Sequence, residues 1–125
     1  MRVAIAGAGN VGLHVANALH RAGHEILLIE QRQAVAKGLY ELAYSARQNA
    51  VYVASSGGFG DGAGPAQVLK LDPATLAVQA TIPLERKGFG VVLDDANNRL
   101  YVGNTVDTSV TVVDIAQNHV VGTVQ

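Results

Sequence analysis

Asn98-Arg99-Leu100-Tyr101-Val102-Gly103 repeats an earlier stretch, Asn49-Ala50-Val51-Tyr52-Val53-Ala54. In both, an Asn suited to a tight reversal stands before a run of aliphatic, β-branched and aromatic residues, so each copy reads as a turn feeding a strand. A second pair of stretches follows the first. Val68-Leu69-Lys70-Leu71-Asp72 matches Thr111-Val112-Val113-Asp114 in pattern, and each ends on an aspartate fit to open a turn. The tyrosine anchors lie further apart than the aspartate anchors because a glycine-rich loop, Gly57 to Gly64, is added in the first unit.

Working outward, β-rich pieces separated by turn residues occupy Leu39–Tyr44, Ala50–Ala54, Gln67–Leu71, Ala77–Ile82, Phe89–Leu93, Leu100–Gly103, Ser109–Val113 and Val120–Val124, with no helix among them. Repeats of roughly 40–50 residues with four strands each are the sequence sign of propeller blades. Residues 37–125 are therefore expected to form two antiparallel, four-stranded, propeller-like blades, too few to close a ring.

The chain opens differently. Val3-Ala4-Ile5-Ala6 is a continuous apolar run suited to a parallel strand covered on both faces. Gly7-Ala8-Gly9-Asn10-Val11-Gly12 follows, with glycines spaced to turn a strand tightly into a helix and to let the backbone approach a pyrophosphate. Val11, Val15, Ala18, Leu19 and Ala22 then recur at helical spacing before Gly23, and Ile26–Ile29 is a second apolar strand ending at Glu30. Residues 1–32 thus read as a Rossmann-like β-α-β unit, an α/β beginning to an otherwise all-β chain, with residues 33–36 as the junction. Gly7, Gly9, Asn10, Val11 and Gly12 are the expected phosphate-binding turn. Glu30, at the tip of the second strand, is placed to accept hydrogen bonds from ribose hydroxyls, which favours NAD over NADP because a carboxylate repels a 2′-phosphate.

Residues 1–31 resemble the start of NAD-binding Rossmann domains, especially the regulatory domains of bacterial potassium-uptake systems. The resemblance implies NAD as cofactor and the same glycine and Glu30 contacts, and it carries over no catalytic residue. Residues 37–125 resemble the first two blades of the YVTN-repeat β-propellers of bacteria. Leu100-Tyr101-Val102-Gly103-Asn104 and Ser109–Asp114 stand where that family has its signature strand pair, with Gly103 in place of the usual threonine. The stretch from Lys37 to Ser55 looks like the start of the mature, secreted form of such proteins.

Other chemistry finds little support. Nine Lys and Arg against ten Asp and Glu, scattered singly, make no basic stripe for nucleic acid. No cysteine is present, and the four histidines lack metal-ligand spacing. No apolar run approaches a membrane span or a signal-peptide core, so the expectation is a soluble, cytoplasmic chain with no membrane partner. The glycine-rich loop lacks a Gly-Lys-Ser/Thr ending and enters a strand, which makes it a flexible connection and not a phosphate cradle. Asp94-Asp95-Ala96-Asn97-Asn98 reads as turn chemistry, not as an acid/base pair. The tyrosines at 40, 44, 52 and 101 read as strand-packing residues.

Three readings follow. The first is a non-catalytic nucleotide-binding module, an NAD(H) half-site fused to a partial propeller. The second is an interaction or scaffold fragment that self-associates through open strand edges. The third is an engineered or fused chimera without evolved activity, suggested by the change of composition near residue 32: every aspartate and proline lies after residue 60, and three of the four histidines lie before residue 25. An enzyme is the weakest reading, since hydride transfer needs a substrate domain and a catalytic acid or base.

Overall fold

The computed structural model describes the backbone of residues 2–6 and 25–29 and the whole of residues 36–125. The glycine turn, the expected helix after it and Glu30 lie outside the described residues. The first two strands, β1 (Arg2–Ala6) and β2 (Glu25–Ile29), run parallel, in register from Arg2 opposite Glu25 to Ala6 opposite Ile29. Parallel pairing is what the two apolar runs call for. Among the described residues this sheet has two strands; neither a third parallel strand nor an antiparallel one joins it.

The remainder forms two four-stranded antiparallel meanders. Sheet I has the order β3 (Leu39–Ser45), β4 (Ala50–Ser55), β5 (Gln67–Leu71) and β6 (Val78–Pro83). Sheet II repeats it with β7 (Val91–Asp94), β8 (Arg99–Asn104), β9 (Ser109–Asp114) and β10 (His119–Val124). All eight expected strands are present, each with its ends within two residues of the sequence reading. One expectation is corrected: between β7 and β8 a short 3₁₀ turn occupies Asp95–Asn97, because Asp94 caps it by accepting from the Asn97 backbone N–H at 3.3 Å.

The turns repeat as the strands do. Asn49 and Asn98 both enter the left-handed region, at φ 48° and 55°, where an Asn side chain lowers the cost. After the third strand of each unit, the Asp72 carboxylate accepts from the N–H groups of Ala74 and Thr75, and Asp114 does the same for Ala116 and Gln117. Both turns then pass through a left-handed residue, Asn118 in one and Leu76 in the other.

Alternation along the strands gives each sheet two different faces. On one face of sheet I lie Ala50, Tyr52 and Ala54; on the opposite face of sheet II lie Leu100, Val102 and Val113, and these form one core with Val68, Ile82, Leu84 and Ile115. The first strands of the two sheets, β3 and β7, lie side by side, as do the last strands, β6 and β10. The sheets therefore stack like with like, as successive repeats do. The crossing segment fits closely: a Cβ on Gly88 would stand 2.5 Å from Val102 Cγ1, so only glycine passes there without displacing the core. The outer face of sheet I is also buried, through Val51, Val53, Leu69 and Leu71, whereas the outer face of sheet II is open.

A polar clamp holds the sheets at one end. The Ser45 hydroxyl donates to Asp95 Oδ1, the Arg47 backbone N–H donates to Asp95 Oδ2 at 3.1 Å, and Gln48 Nε2 donates to Asn98 Oδ1 at 3.0 Å. Ser45 is fully buried and also accepts from the Gln48 backbone N–H at 3.0 Å, so losing Asp95 leaves its hydroxyl proton without an acceptor. Asp95→Ala is expected to lower stability by about 1–3 kcal/mol, with Asp95→Asn restoring part of it. Urea unfolding followed by tyrosine fluorescence reads this, and an unchanged midpoint for the alanine variant would remove the clamp from the account.

Candidate functional site

In a parallel pair both carboxyl ends lie at the same edge. Ala6 is opposite Ile29, so the chain leaves β1 toward Gly7 and leaves β2 toward Glu30 from neighbouring positions. Ligands of open parallel sheets bind beyond such carboxyl ends. Gly7, Gly9, Asn10, Val11, Gly12 and Glu30 themselves fall outside the described residues.

A second grouping stands on the described strands, where the adjacency of β3 and β7 brings aromatic residues together. The Tyr40 and Phe89 rings meet edge to face, with centroids 4.6 Å apart and planes at 74°. Phe59 from the glycine-rich loop stacks beyond Phe89 at 6.2 Å, and Lys87 Nζ lies 5.0 Å from the Phe59 ring centre. Tyr40, Glu41, Phe89 and Gly90 line a hollow of about 230 Å³. Glu41 is held there by the Val91 backbone N–H, which donates to its Oε2 at 2.8 Å. Sequence reasoning assigned Tyr40 to strand packing, yet it is 45% exposed, and Phe59 is 60% exposed. It missed Phe59, Phe89, Glu41 and Lys87 altogether. The available signal was a phenylalanine inside a loop of glycines, where no core needs one.

That loop is not the loose connection expected from its glycines. Gly64 N donates to Gly57 O at 2.7 Å, Lys37 Nζ to Gly62 O at 2.8 Å, and Lys87 Nζ to the carbonyls of Ser56 and Gly58. Gly57 must be glycine: its φ is 79°, and a Cβ there would lie 2.1 Å from Gly64 O. Two lysines thus replace the missing side-chain packing with charge-assisted bonds to carbonyls.

The carboxylates behave as turn and clamp groups. Backbone N–H donation, from Thr75 first and then Ala74, holds Asp72 below its ordinary range, and Gln117 N–H leads the same effect at Asp114, with Arg99 and His119 adding to it. Burial, aided by the Asp95 charge, pushes the Tyr52 phenol up to about 12, and the same two causes raise Tyr44. Near the far end of sheet II, Asn104 Nδ2 donates to Ser109 Oγ at 3.0 Å and Thr111 Oγ1 at 2.8 Å. Arg86 joins them through Ser109 and through Asp107 at 3.4 Å. These are structural networks, and in the last of them Asn104 Oδ1 is buried without a hydrogen-bond partner. Among the described residues no three His, Asp or Glu side chains converge as metal ligands would.

The chain is similar to two kinds of protein. The TrkA-N domain model matches residues 3–53. That match runs on into β3 and β4, which pair antiparallel from Tyr44 opposite Val51 to Leu39 opposite Ser55 and so depart from the parallel continuation of a Rossmann sheet. The chain is also 40% identical over 91 residues to the uncharacterized protein YncE of Escherichia coli strain K12, covering 73% of this chain and 26% of that protein. With YncE of Salmonella typhi it shares 37% identity over 91 residues. The chain spans about a quarter of the length of these curated relatives.

The lysine anchors are open to a direct check. Lys87→Met keeps the stem but removes both bonds to the loop. Hydrogen exchange at Gly57–Gly64 is expected to speed up by roughly tenfold or more, the loss of charge-assisted bonds, while β4 and β8 stay protected. Unchanged exchange in the loop would show that the glycine turns hold without it.

Proposed function

We propose that the chain is a non-catalytic nucleotide-binding module whose guest is NAD(H), held weakly at a half-site. The observation that carries this reading is the parallel register of β1 and β2, with Ala6 opposite Ile29, so that both strands end at one edge of the pair. The TrkA-N match over residues 3–53 supports it, since domains of that kind bind NAD(H). In this reading Gly7, Gly9, Asn10, Val11 and Gly12 offer backbone N–H groups to the pyrophosphate, and Glu30 accepts from the ribose hydroxyls. The other half of a dinucleotide crevice would come from strands beyond β2, and among the described residues that sheet has none. Affinity near a millimolar Kd is the consequence. Titration with NADH to about 1 mM, followed by nicotinamide fluorescence, is expected to show binding that Gly9→Val abolishes; no binding, or an unaffected Gly9→Val variant, overturns the reading.

A second reading rests on the open face of sheet II. Val92, Tyr101, Val112 and Gly122 form one cross-strand row, and Gly103, Val110 and Val124 the next, with Val92 68% exposed. Beside them runs a charged row, Asp94, Arg99, Asp114 and His119, in which Arg99 pairs with Asp114 at 3.1 Å. An apolar band rimmed by charge is the composition of an interaction surface. The edge strand β10 carries a bulge between Val120 and Gly122, which blunts edge pairing. Self-association is therefore proposed through this face and not through the strand edges. Light scattering is expected to show concentration-dependent association that Tyr101→Lys removes, and a strictly monomeric chain at high concentration would sink this reading.

A further inference from the structure

We propose that the corner made by Tyr40, Phe89, Glu41 and Gly90 binds a small quaternary ammonium cation. Tyr40 and Phe89 meet edge to face at 74°, and both rings border the hollow beside the Glu41 carboxylate. A cation is drawn to ring faces by the ring quadrupole, most strongly for groups that carry no tightly held water. Glu41 supplies the counter-charge. Its Oε2 is fixed by the Val91 N–H, and a carboxylate with roughly four lone-pair sites keeps acceptor capacity after one such bond. No lysine or arginine among the described residues pairs with it.

Lys87 does not compete for the corner. Its ammonium is bound to Ser56 O and Gly58 O and stands over Phe59, the ring on the far side of the row. Gly90 keeps the floor clear, since a Cβ there would come within 3.0 Å of Glu41 Oε2. At about 230 Å³ the hollow falls below the roughly 300–1,000 Å³ of drug-sized sites and admits one compact head group. A quaternary ammonium donates no hydrogen bond, which suits a corner of two rings and one carboxylate. An anion would meet Glu41 with repulsion.

The test compares choline with 3,3-dimethyl-1-butanol, its uncharged carbon isostere, by calorimetric titration into the full chain. Choline is expected to bind in the millimolar range and the isostere at least about fivefold more weakly. Glu41→Gln should weaken choline about threefold or more and leave the isostere unchanged. Phe89→Leu should weaken choline as well. Because that variant also loosens the contact with Phe59, Glu41→Gln carries the decision. Equal affinity for the two compounds, indifference of choline to Glu41→Gln, or no binding of choline overturns the proposal.

Discussion

Everything described beyond residue 36 depends on one packing constraint, the seating of sheet I on sheet II around Tyr52. Its ring is fully buried between Ala50 and Ala54 on its own strand, whose small side chains let the second sheet come close, and it faces Leu100, Val102, Val113 and Ile115. Burying a phenol needs a partner for its hydroxyl. The hydroxyl donates to the Ile115 carbonyl at 3.4 Å, and burial holds the proton on it up to about pH 12. Each fully buried aliphatic residue around it contributes about 1.5–3 kcal/mol against an exposed state. The clamp at Asp95 then sets the sheets' rotation at one end, because Ser45 and Arg47 of one sheet must reach the 3₁₀ turn of the other.

The aromatic corner is a by-product of that seating. Tyr40 and Glu41 come from β3, and Phe89 and Gly90 lie just before β7, so the two sides of the corner come from different sheets and meet only where β3 and β7 lie side by side. The glycine-rich loop contributes Phe59 to the same row and is pinned by Lys87, which also emerges from the crossing between sheets. Loop, crossing segment and strand thus converge at one end of the stack, away from the turns that carry Asp72 and Asp95.

Local chemistry made the strands and turns legible. Asn49 and Asn98, and the aspartates at 72 and 114, announce reversals through side chains that bond their own backbone, and the alternation in β4 and β8 announces two-faced strands. The parallel pairing of β1 with β2 was legible from two unbroken apolar runs. What was not legible was long-range. Asp95 looks like one more turn residue until the sheet before it supplies Ser45 and Arg47, and Glu41 has no motif at all until Val91 lies beside it. Leu76 shows the reverse case, a residue ill-suited to φ 61° that takes it because the strands on either side impose the hairpin. The sequence reading also took the glycines of residues 57–64 for looseness, since the lysines that tie them, Lys37 and Lys87, lie outside the loop.

The unequal faces of the two sheets have a thermodynamic consequence. In a stack whose members touch only their neighbours, stability is a sum of unit terms and junction terms. Here the junction joins unlike faces, the Tyr52 side of one sheet and the Leu100 side of the next, so the stack has a direction. At one end Val51, Val53, Leu69 and Leu71 are already shielded, while at the other Tyr101 and Val92 meet water. Among the described residues, the open face of sheet II is where a further favourable junction term remains available.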